Sequence, residues 1–235
     1  MMSVKNLLVD EISGWQRREV VYIAVCTLAI AGIAMYLGDT FLGVASAIAG
    51  TLYTMLAGKG KISCYIFGIL NTISYGYIAK SQTLYGDMML NWFIYLPMMF
   101  IGIAMWGRRR KQDGSIIKTW LSGVDRGVWC VIIGAGTVIY GEILASLGDN
   151  QPFVDAATNI LSVSAMILTL KRCIEQWLLW TLVNALSVVM WLNVYRSSGN
   201  SIATLLWWLI MLVTGIVFFI QWYREIRSPE NQELQ

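Results

Sequence analysis

The sequence contains no histidine, three prolines and few charged residues. Charged residues make up 13% of the 235 positions, about half the share that a soluble globular protein carries. The absence of histidine excludes a Cys/His zinc site and a Cys–His nucleophile. The four cysteines are widely spaced and form no C-x-x-C pair, which argues against a disulfide framework. The cysteines are therefore interpreted as small apolar residues of helices.

Apolar residues are abundant: they make up 57% of the chain, and the mean hydropathy is +0.61. A water-soluble domain of this length cannot bury so much apolar surface. The chain is therefore predicted to be an integral membrane protein. The polar N-terminus carries charges of both signs and shows no cleaved signal peptide.

Eight apolar segments are each long enough to cross a bilayer as a helix. They run over Val20–Leu37, Thr40–Ala57, Ile62–Ala79, Leu84–Trp106, Gly127–Leu147, Pro152–Leu170, Gln176–Tyr195 and Ser201–Tyr223. The segments are continuously apolar and do not alternate, which favours helices over a β-barrel. The predicted fold class is an all-α integral membrane protein with eight transmembrane helices.

Basic residues fall almost entirely on one side of this eight-helix topology. If the chain crosses the membrane eight times, 15 of the 17 basic residues lie on the same side of the membrane as the N-terminus. Only Lys80 and Arg196 lie on the opposite side. Basic residues accumulate on the cytoplasmic side, so both termini are predicted to be cytoplasmic. The run R-R-R-K at 108–111 directly follows a span, and we interpret it as a topology anchor rather than a nucleic-acid patch. No nucleic-acid partner is expected.

The chain resembles itself at an offset of 113 residues. F-G-I-L-N-T-I-S from Phe67 aligns with W-T-L-V-N-A-L-S from Trp180, which places Asn71 on Asn184. Spans 2–4 and 6–8 then correspond with the same orientation, span 5 is a linker, and span 1 is an addition. This 3+1+3 plan with parallel repeats is that of the SWEET carriers, whose sites lie at the repeat interface near the midplane.

The repeat predicts five segments with different roles. They are an N-terminal segment with the extra helix (1–39), a first three-helix repeat (40–111), a loop with the linker helix (112–150), a second repeat (151–224) and a cytoplasmic tail (225–235).

Polar and aromatic residues recur on single faces of four predicted spans. A polar side chain at membrane depth is costly unless it has a partner or lines a cavity, so these faces are candidate substrate-binding surfaces. Packing between helices and an interfacial aromatic belt are the alternatives. The candidate substrate-binding residues are Asn71, Tyr75, Asn91, Tyr95, Asn159, Trp177, Trp180, Asn184 and Ser187.

Charged residues are missing near the predicted midplane, and the nearest acids are Asp87, Glu142 and Asp155. Proton-driven carriers need a titratable group along the path, and an ATP-driven pump needs a G-x-x-x-x-G-K-[ST] loop. Neither is present, so a uniporter without a cofactor or metal is predicted. An intramembrane enzyme lacks a nucleophile with a base. A non-transporting structural module remains an alternative, although it does not explain the duplicated polar faces.

Three motifs resemble one known family, the PnuC-type nicotinamide riboside transporters. They are W-x-x-W-x-x-x-N formed by Trp177, Trp180 and Asn184, the stretch L-Y-G-D-M-M-L-N-W-F-I-Y-L-P-M-M-F-I-G at 84–102, and F-G-I-L-N-T-I-S-Y at 67–75. The resemblance covers nearly the whole chain, from about Leu42 to Arg224. It assigns the W-x-x-W-x-x-x-N residues to the substrate site, and more weakly Asn71, Asn91 and Tyr95.

The resemblance implies a homotrimeric facilitator of the bacterial inner membrane with a SWEET-like core. Its substrate would be nicotinamide riboside, which a separate cytoplasmic riboside kinase would trap by phosphorylation. Relatives on the same scaffold carry thiamine, riboflavin or deoxynucleosides, so another vitamin or nucleoside remains an alternative. Thiamine is also a cationic aromatic molecule, and Trp faces with Asn amides suit both substrates.

Overall fold

The computed structural model describes residues 14–36, 38, 40–81, 88–108, 116–146, 148, 152–198 and 202–228. Within these residues the fold is built from helices, and Thr119 and Cys173 form an isolated bridge of strand type. The chain divides into two compact units, one ending at Ile117 and the other beginning at Lys118. The all-helical membrane fold expected from the sequence is confirmed.

In its described residues, each unit contains four α-helices in sequence. The first unit contains α1 (Arg17–Tyr36), α2 (Phe41–Lys59), α3 (Cys64–Ser81) and, after a π-helical segment at Leu90–Tyr95, α4 (Leu96–Gly107). The second unit contains α5 (Gly123–Ser146), α6 (Pro152–Leu170), α7 (Glu175–Ser198) and α8 (Ile202–Ile226). In both units, successive helices pack against each other.

Five helical stretches are long and apolar enough to cross a membrane when only the described residues are considered. They are Phe41–Lys59, Leu90–Gly107, Gly123–Ser146, Pro152–Leu170 and Trp208–Ile226. The other three predicted spans coincide with α1, α3 and α7, which are 20, 18 and 24 residues long. Crossing by these three helices remains a prediction, as does the division into five segments.

Short polar signals set several helix ends. The Thr40 side chain accepts a hydrogen bond from Gly43 N at 3.0 Å and caps α2. The Ser122 hydroxyl accepts from Asp125 N at 3.1 Å and caps α5, while α6 begins at Pro152, which needs no partner for a missing N–H. In the first unit, Lys59 forms an ion pair of 2.7 Å with Glu19, which ties the end of α2 to the start of α1.

The turns that end α2 and α6 have the same hydrogen-bond geometry. After α2, Gly60 adopts φ 79°, and the N–H groups of Gly60 and Lys61 donate to the carbonyls of Ala57 and Leu56. After α6, Arg172 adopts φ 64°, and Arg172 N and Cys173 N donate in the same pattern to Thr169 O and Leu168 O. Both turns are Schellman caps, in which a left-handed residue ends the helix.

The cap at Gly60 gives a direct stability prediction. Gly60→Ala places a Cβ on a residue with φ 79°, which costs about 1–2 kcal/mol in the left-handed region. We expect a lower midpoint of thermal unfolding for the purified variant in detergent. Gly32→Ala is the control, because Gly32 lies within α1 and a Cβ there meets nothing within 4 Å. Equal midpoints for the two variants would show that the cap does not stabilise the fold.

Candidate functional site

Asn71 lies near the middle of α3, and its amide is held by α2. Its Nδ2 donates to the Ser46 carbonyl at 2.9 Å and approaches the Ser46 Oγ at 3.2 Å. In the described part of the chain no donor reaches the Asn71 Oδ1, and the side chain is half-buried. The amide is therefore oriented by its nitrogen and offers an oxygen acceptor.

A glycine on α2 makes room for this amide. A Cβ added to Gly50 would lie 2.9 Å from Asn71 Nδ2 and 3.3 Å from its Cγ. Real Cβ atoms do not approach a neighbour that closely, so a larger residue at this position would displace the amide. Small residues that let helices approach are characteristic of membrane bundles.

Asn91 and Tyr95 lie in the π-helical segment that precedes α4. The N–H of Leu96 donates to the carbonyl of Asn91, five residues before it, which is the π-type pattern. Pro97 follows directly, and a proline lacks the N–H that would continue the α-helical ladder. Asn91 is buried and Tyr95 is half-buried. A π-helical turn is wider than an α-helical turn. The shared face that α-helical spacing predicts for this span therefore does not apply to this segment.

In the second unit, Trp177 is buried between α7 and α8. Its ring is 3% exposed and contacts the rings of Phe218 and Trp222, with centroid distances of 5.1 and 5.8 Å. Its buried Nε1 has no hydrogen-bond partner among the described residues. This packing explains the burial of Trp177, and its predicted contact with substrate remains a prediction.

Trp180, three residues further along α7, has a different environment. Its Nε1 donates to Thr169 Oγ1 of α6 at 3.4 Å, and the Thr169 hydroxyl itself donates to Ala165 O at 2.9 Å. The indole is half-buried, and within the described residues neither an aromatic ring nor a cation covers it. The edge of the indole is therefore fixed by a hydrogen bond, and no ring or cation of the described chain competes for its face.

Asn184 and Ser187 lie one and two turns beyond Trp180 and are 8% and 6% exposed. The Asn184 amide makes no hydrogen bond within the described part of the chain. α8 approaches this region closely, since a Cβ on Gly215 would lie 2.8 Å from Thr181 Oγ1 and 3.8 Å from Asn184 Nδ2. Asn184 is thus a buried amide with unused hydrogen-bonding capacity, which a polar substrate can satisfy.

The remaining predicted residues, Asn159 and Tyr75, differ in their surroundings. Asn159 of α6 is half-buried and donates through Nδ2 to Asp155 O of its own helix at 2.9 Å, which leaves its Oδ1 as an acceptor. Tyr75 of α3 is 40% exposed. Asn71, Tyr75, Asn91 and Tyr95 therefore belong to the first unit, and Asn159, Trp177, Trp180, Asn184 and Ser187 belong to the second.

Sequence reasoning missed the residues that orient these side chains, namely Ser46, Gly50 and Thr169. Helical periodicity identifies which residues share a face of one helix, but it does not identify the neighbour on the next helix. A hydroxyl or glycine in an apolar span is the only sequence signal for such a neighbour, and that signal is common in membrane helices.

Charge is confined to helix ends in the described chain. Every acidic or basic residue of the eight helices lies within the first or last five residues of its helix, including Glu142 and Asp155. The described residues contain no group of three or more metal-ligating side chains. Outside the spans, burial raises the pKa of the Cys173 thiol, which keeps it protonated and unsuited to nucleophilic chemistry.

Comparisons with known proteins agree on one family. A family model described as nicotinamide mononucleotide transporter matches residues 40–224. A protein of Neisseria mucosa named nicotinamide riboside transporter PnuC is 31% identical over 226 residues, which cover 93% of this chain and 86% of the relative. A Haemophilus influenzae protein of the same name is 34% identical over 194 residues, covering 81% and 86% of the two chains.

A solved structure shows the same fold. The crystal structure of the vitamin B3 transporter PnuC aligns with a TM-score of 0.81 and 30% identity, covering 95% of this chain and 97% of that one. These relatives are named as transporters, and none is named as an enzyme. Because the family model matches well over half of the sequence, this chain is a member of the nicotinamide mononucleotide transporter family, to which the PnuC proteins belong.

Proposed function

We propose that this protein carries nicotinamide riboside across the bacterial inner membrane by facilitated diffusion. The observation that carries the proposal is the environment of Trp180 and Asn184 on α7. An indole with no aromatic or cationic partner among the described residues lies one turn from a buried amide that makes no hydrogen bond there. Nicotinamide riboside has a cationic ring, a carboxamide and a ribose. An indole face attracts the ring, and amides bond the carboxamide and hydroxyls.

The first unit, considered by itself, contains amides of the same kind. Asn71 presents its oxygen, and Asn91 is buried in the π-helical segment that follows. The positions of Asn71 and Asn184, 113 residues apart, support the proposed 3+1+3 plan of two parallel three-helix repeats. The matching caps at Gly60 and Arg172 support it independently, because the same turn precedes the helix that carries each asparagine.

The finer features of transport belong to the same proposal. The basic residues favour cytoplasmic termini, and phosphorylation by a cytoplasmic riboside kinase would trap the substrate. We also propose a homotrimer, as the family resemblance implies. Transport of thiamine is the alternative that binding measurements must distinguish, because thiamine is also a cationic aromatic molecule.

The α7 site predicts distinct losses of affinity. Trp180→Ala removes stacking worth about 0.5–1.5 kcal/mol. Asn184→Leu leaves polar groups of the substrate unpaired, which costs about 1–3 kcal/mol, or roughly ten- to a hundredfold in affinity. Calorimetric titration with nicotinamide riboside, and in parallel with thiamine, measures both. Leu182→Ala is the control, because Leu182 is on the same helix and 51% exposed. Unchanged dissociation constants in monodisperse Trp180 and Asn184 variants would remove α7 from the site.

The packing of Gly50 predicts an indirect loss. Gly50→Ala forces Asn71 Nδ2 from its position beside Ser46, so the amide oxygen no longer points in its native direction. One misplaced hydrogen bond costs about 1 kcal/mol, or about fivefold in affinity. Gly134→Ala is the control, since a Cβ at Gly134 of α5 meets nothing within 4 Å. Equal affinities in the two variants would show that the Asn71 amide does not bind substrate.

The confinement of charge to helix ends predicts uptake without coupling. Liposomes that contain only this protein and are held at zero membrane potential are expected to take up nicotinamide riboside until the inner and outer concentrations are equal. Enclosing a riboside kinase with ATP should then allow further accumulation. Accumulation driven by an imposed pH gradient alone would contradict facilitated diffusion and indicate a titratable group on the path.

A further inference from the structure

A cavity of about 530 Å³ lies at one end of the second unit, apart from the residues proposed to bind substrate. Its wall is formed where α5 and α7 begin and where α8 ends. The residues that matter for its chemistry are Trp120, Arg126, Glu175, Phe219, Tyr223 and Arg227. Nothing in the proposed transport mechanism uses this cavity.

Two arginines and two aromatic rings form its polar side. The rings of Trp120 and Tyr223 meet edge to face with centroids 5.8 Å apart. The Arg227 guanidinium carbon lies 4.4 Å from the centre of the Tyr223 ring, and that of Arg126 lies 6.0 Å from the Trp120 ring. The rings therefore hold both guanidinium groups at the cavity, where each can present N–H donors.

The acidic groups nearby are already occupied. Glu175 is 12% exposed and accepts from Leu121 N at 3.2 Å and from Arg126 Nε at 2.9 Å. Asp125 accepts from the Ser122 hydroxyl at 2.8 Å. Arg227 has no ion pair within the described residues, and Arg126 uses only its Nε for Glu175. The cavity thus has two guanidinium groups against one lining carboxylate, and its unused donors match a phosphate.

The other side of the cavity is apolar. Leu178 of α7 is 45% exposed, and Phe219 of α8 is half-buried beside it. This end of the unit also carries most of its basic residues, which in the predicted topology places it at the cytoplasmic leaflet. Anionic lipids are enriched in that leaflet and attract basic groups near the surface.

We propose that this cavity binds an anionic phospholipid. The lipid phosphate receives hydrogen bonds from Arg126 and Arg227, while an acyl chain lies against Leu178 and Phe219. A lipid bound there contacts α5, α7 and α8 together and stabilises the end of the unit from which α7 carries Trp180 and Asn184.

Thermal unfolding of the delipidated full-length protein in detergent tests the proposal. Phosphatidylglycerol should raise the unfolding midpoint more than phosphatidylcholine with the same acyl chains, and soluble glycerol phosphate at millimolar concentration should not raise it. Arg227→Gln should increase the phosphatidylglycerol concentration needed for half the effect by about fivefold. Arg224→Gln is the matched control, because Arg224 lies three residues before Arg227 at the end of α8, is exposed and does not line the cavity.

A second measurement locates the acyl chain. Phosphatidylglycerol with brominated chains should quench less of the total tryptophan fluorescence in Trp120→Phe than in the unchanged protein. The proposal is overturned if Arg227→Gln and Arg224→Gln weaken the lipid effect equally, or if phosphatidylcholine is as effective. An equal effect of glycerol phosphate would indicate an anion site without a lipid, and a change of oligomeric mass in Arg227→Gln would indicate a contact between copies of the chain.

Discussion

The cost of an unpaired polar group in hydrocarbon governs this structure. Backbone N–H and C=O groups hydrogen-bond to each other within the helices. Most polar side chains inside the helices donate a hydrogen bond to a carbonyl of the preceding turn. Ser74 bonds Leu70 O at 2.7 Å, and Thr169 bonds Ala165 O at 2.9 Å. Against this background, an amide whose atoms find no partner in the described chain is informative. Asn184 is such a group, and its free capacity is the strongest physical reason to place a polar substrate beside α7.

Close packing of helices also helps to pair polar groups, because a neighbouring helix can orient an amide only when it is near. Gly50 lets α2 reach Asn71, and Gly215 lets α8 reach Thr181 and Asn184. The left-handed residues that end α2 and α6 set where the following helices begin. Gly60 fits this conformation without strain, whereas Arg172 adopts it as a non-glycine residue. The same turn geometry therefore occurs at the ends of α2 and α6 with different residues at the left-handed position.

The sequence predicts the helices and the confinement of charge to their ends, because apolar length and charge spacing are local properties. The equivalence of Asn71 and Asn184 in a sequence repeat stays a prediction. The sequence does not distinguish Trp177 from Trp180, which share one predicted face but have different neighbours. Nor does it predict the altered register at Asn91, although Pro97 was a local signal for it. Depth and neighbours depend on adjacent helices, and periodicity within one helix contains no information about them.

The difference between the two tryptophans also bears on how a cation is recognised. Trp177 packs on Trp222, and the Lys118 ammonium lies 4.9 Å from the centre of the Trp222 ring while it pairs with Glu225. The aromatic cluster around Trp177 is thus already associated with a buried protein cation. A second cation near that cluster would compete with the Lys118 ammonium for the aromatic faces. Trp180 has no such neighbour in the described chain, so it is the indole whose face a pyridinium can approach without competing with a lysine.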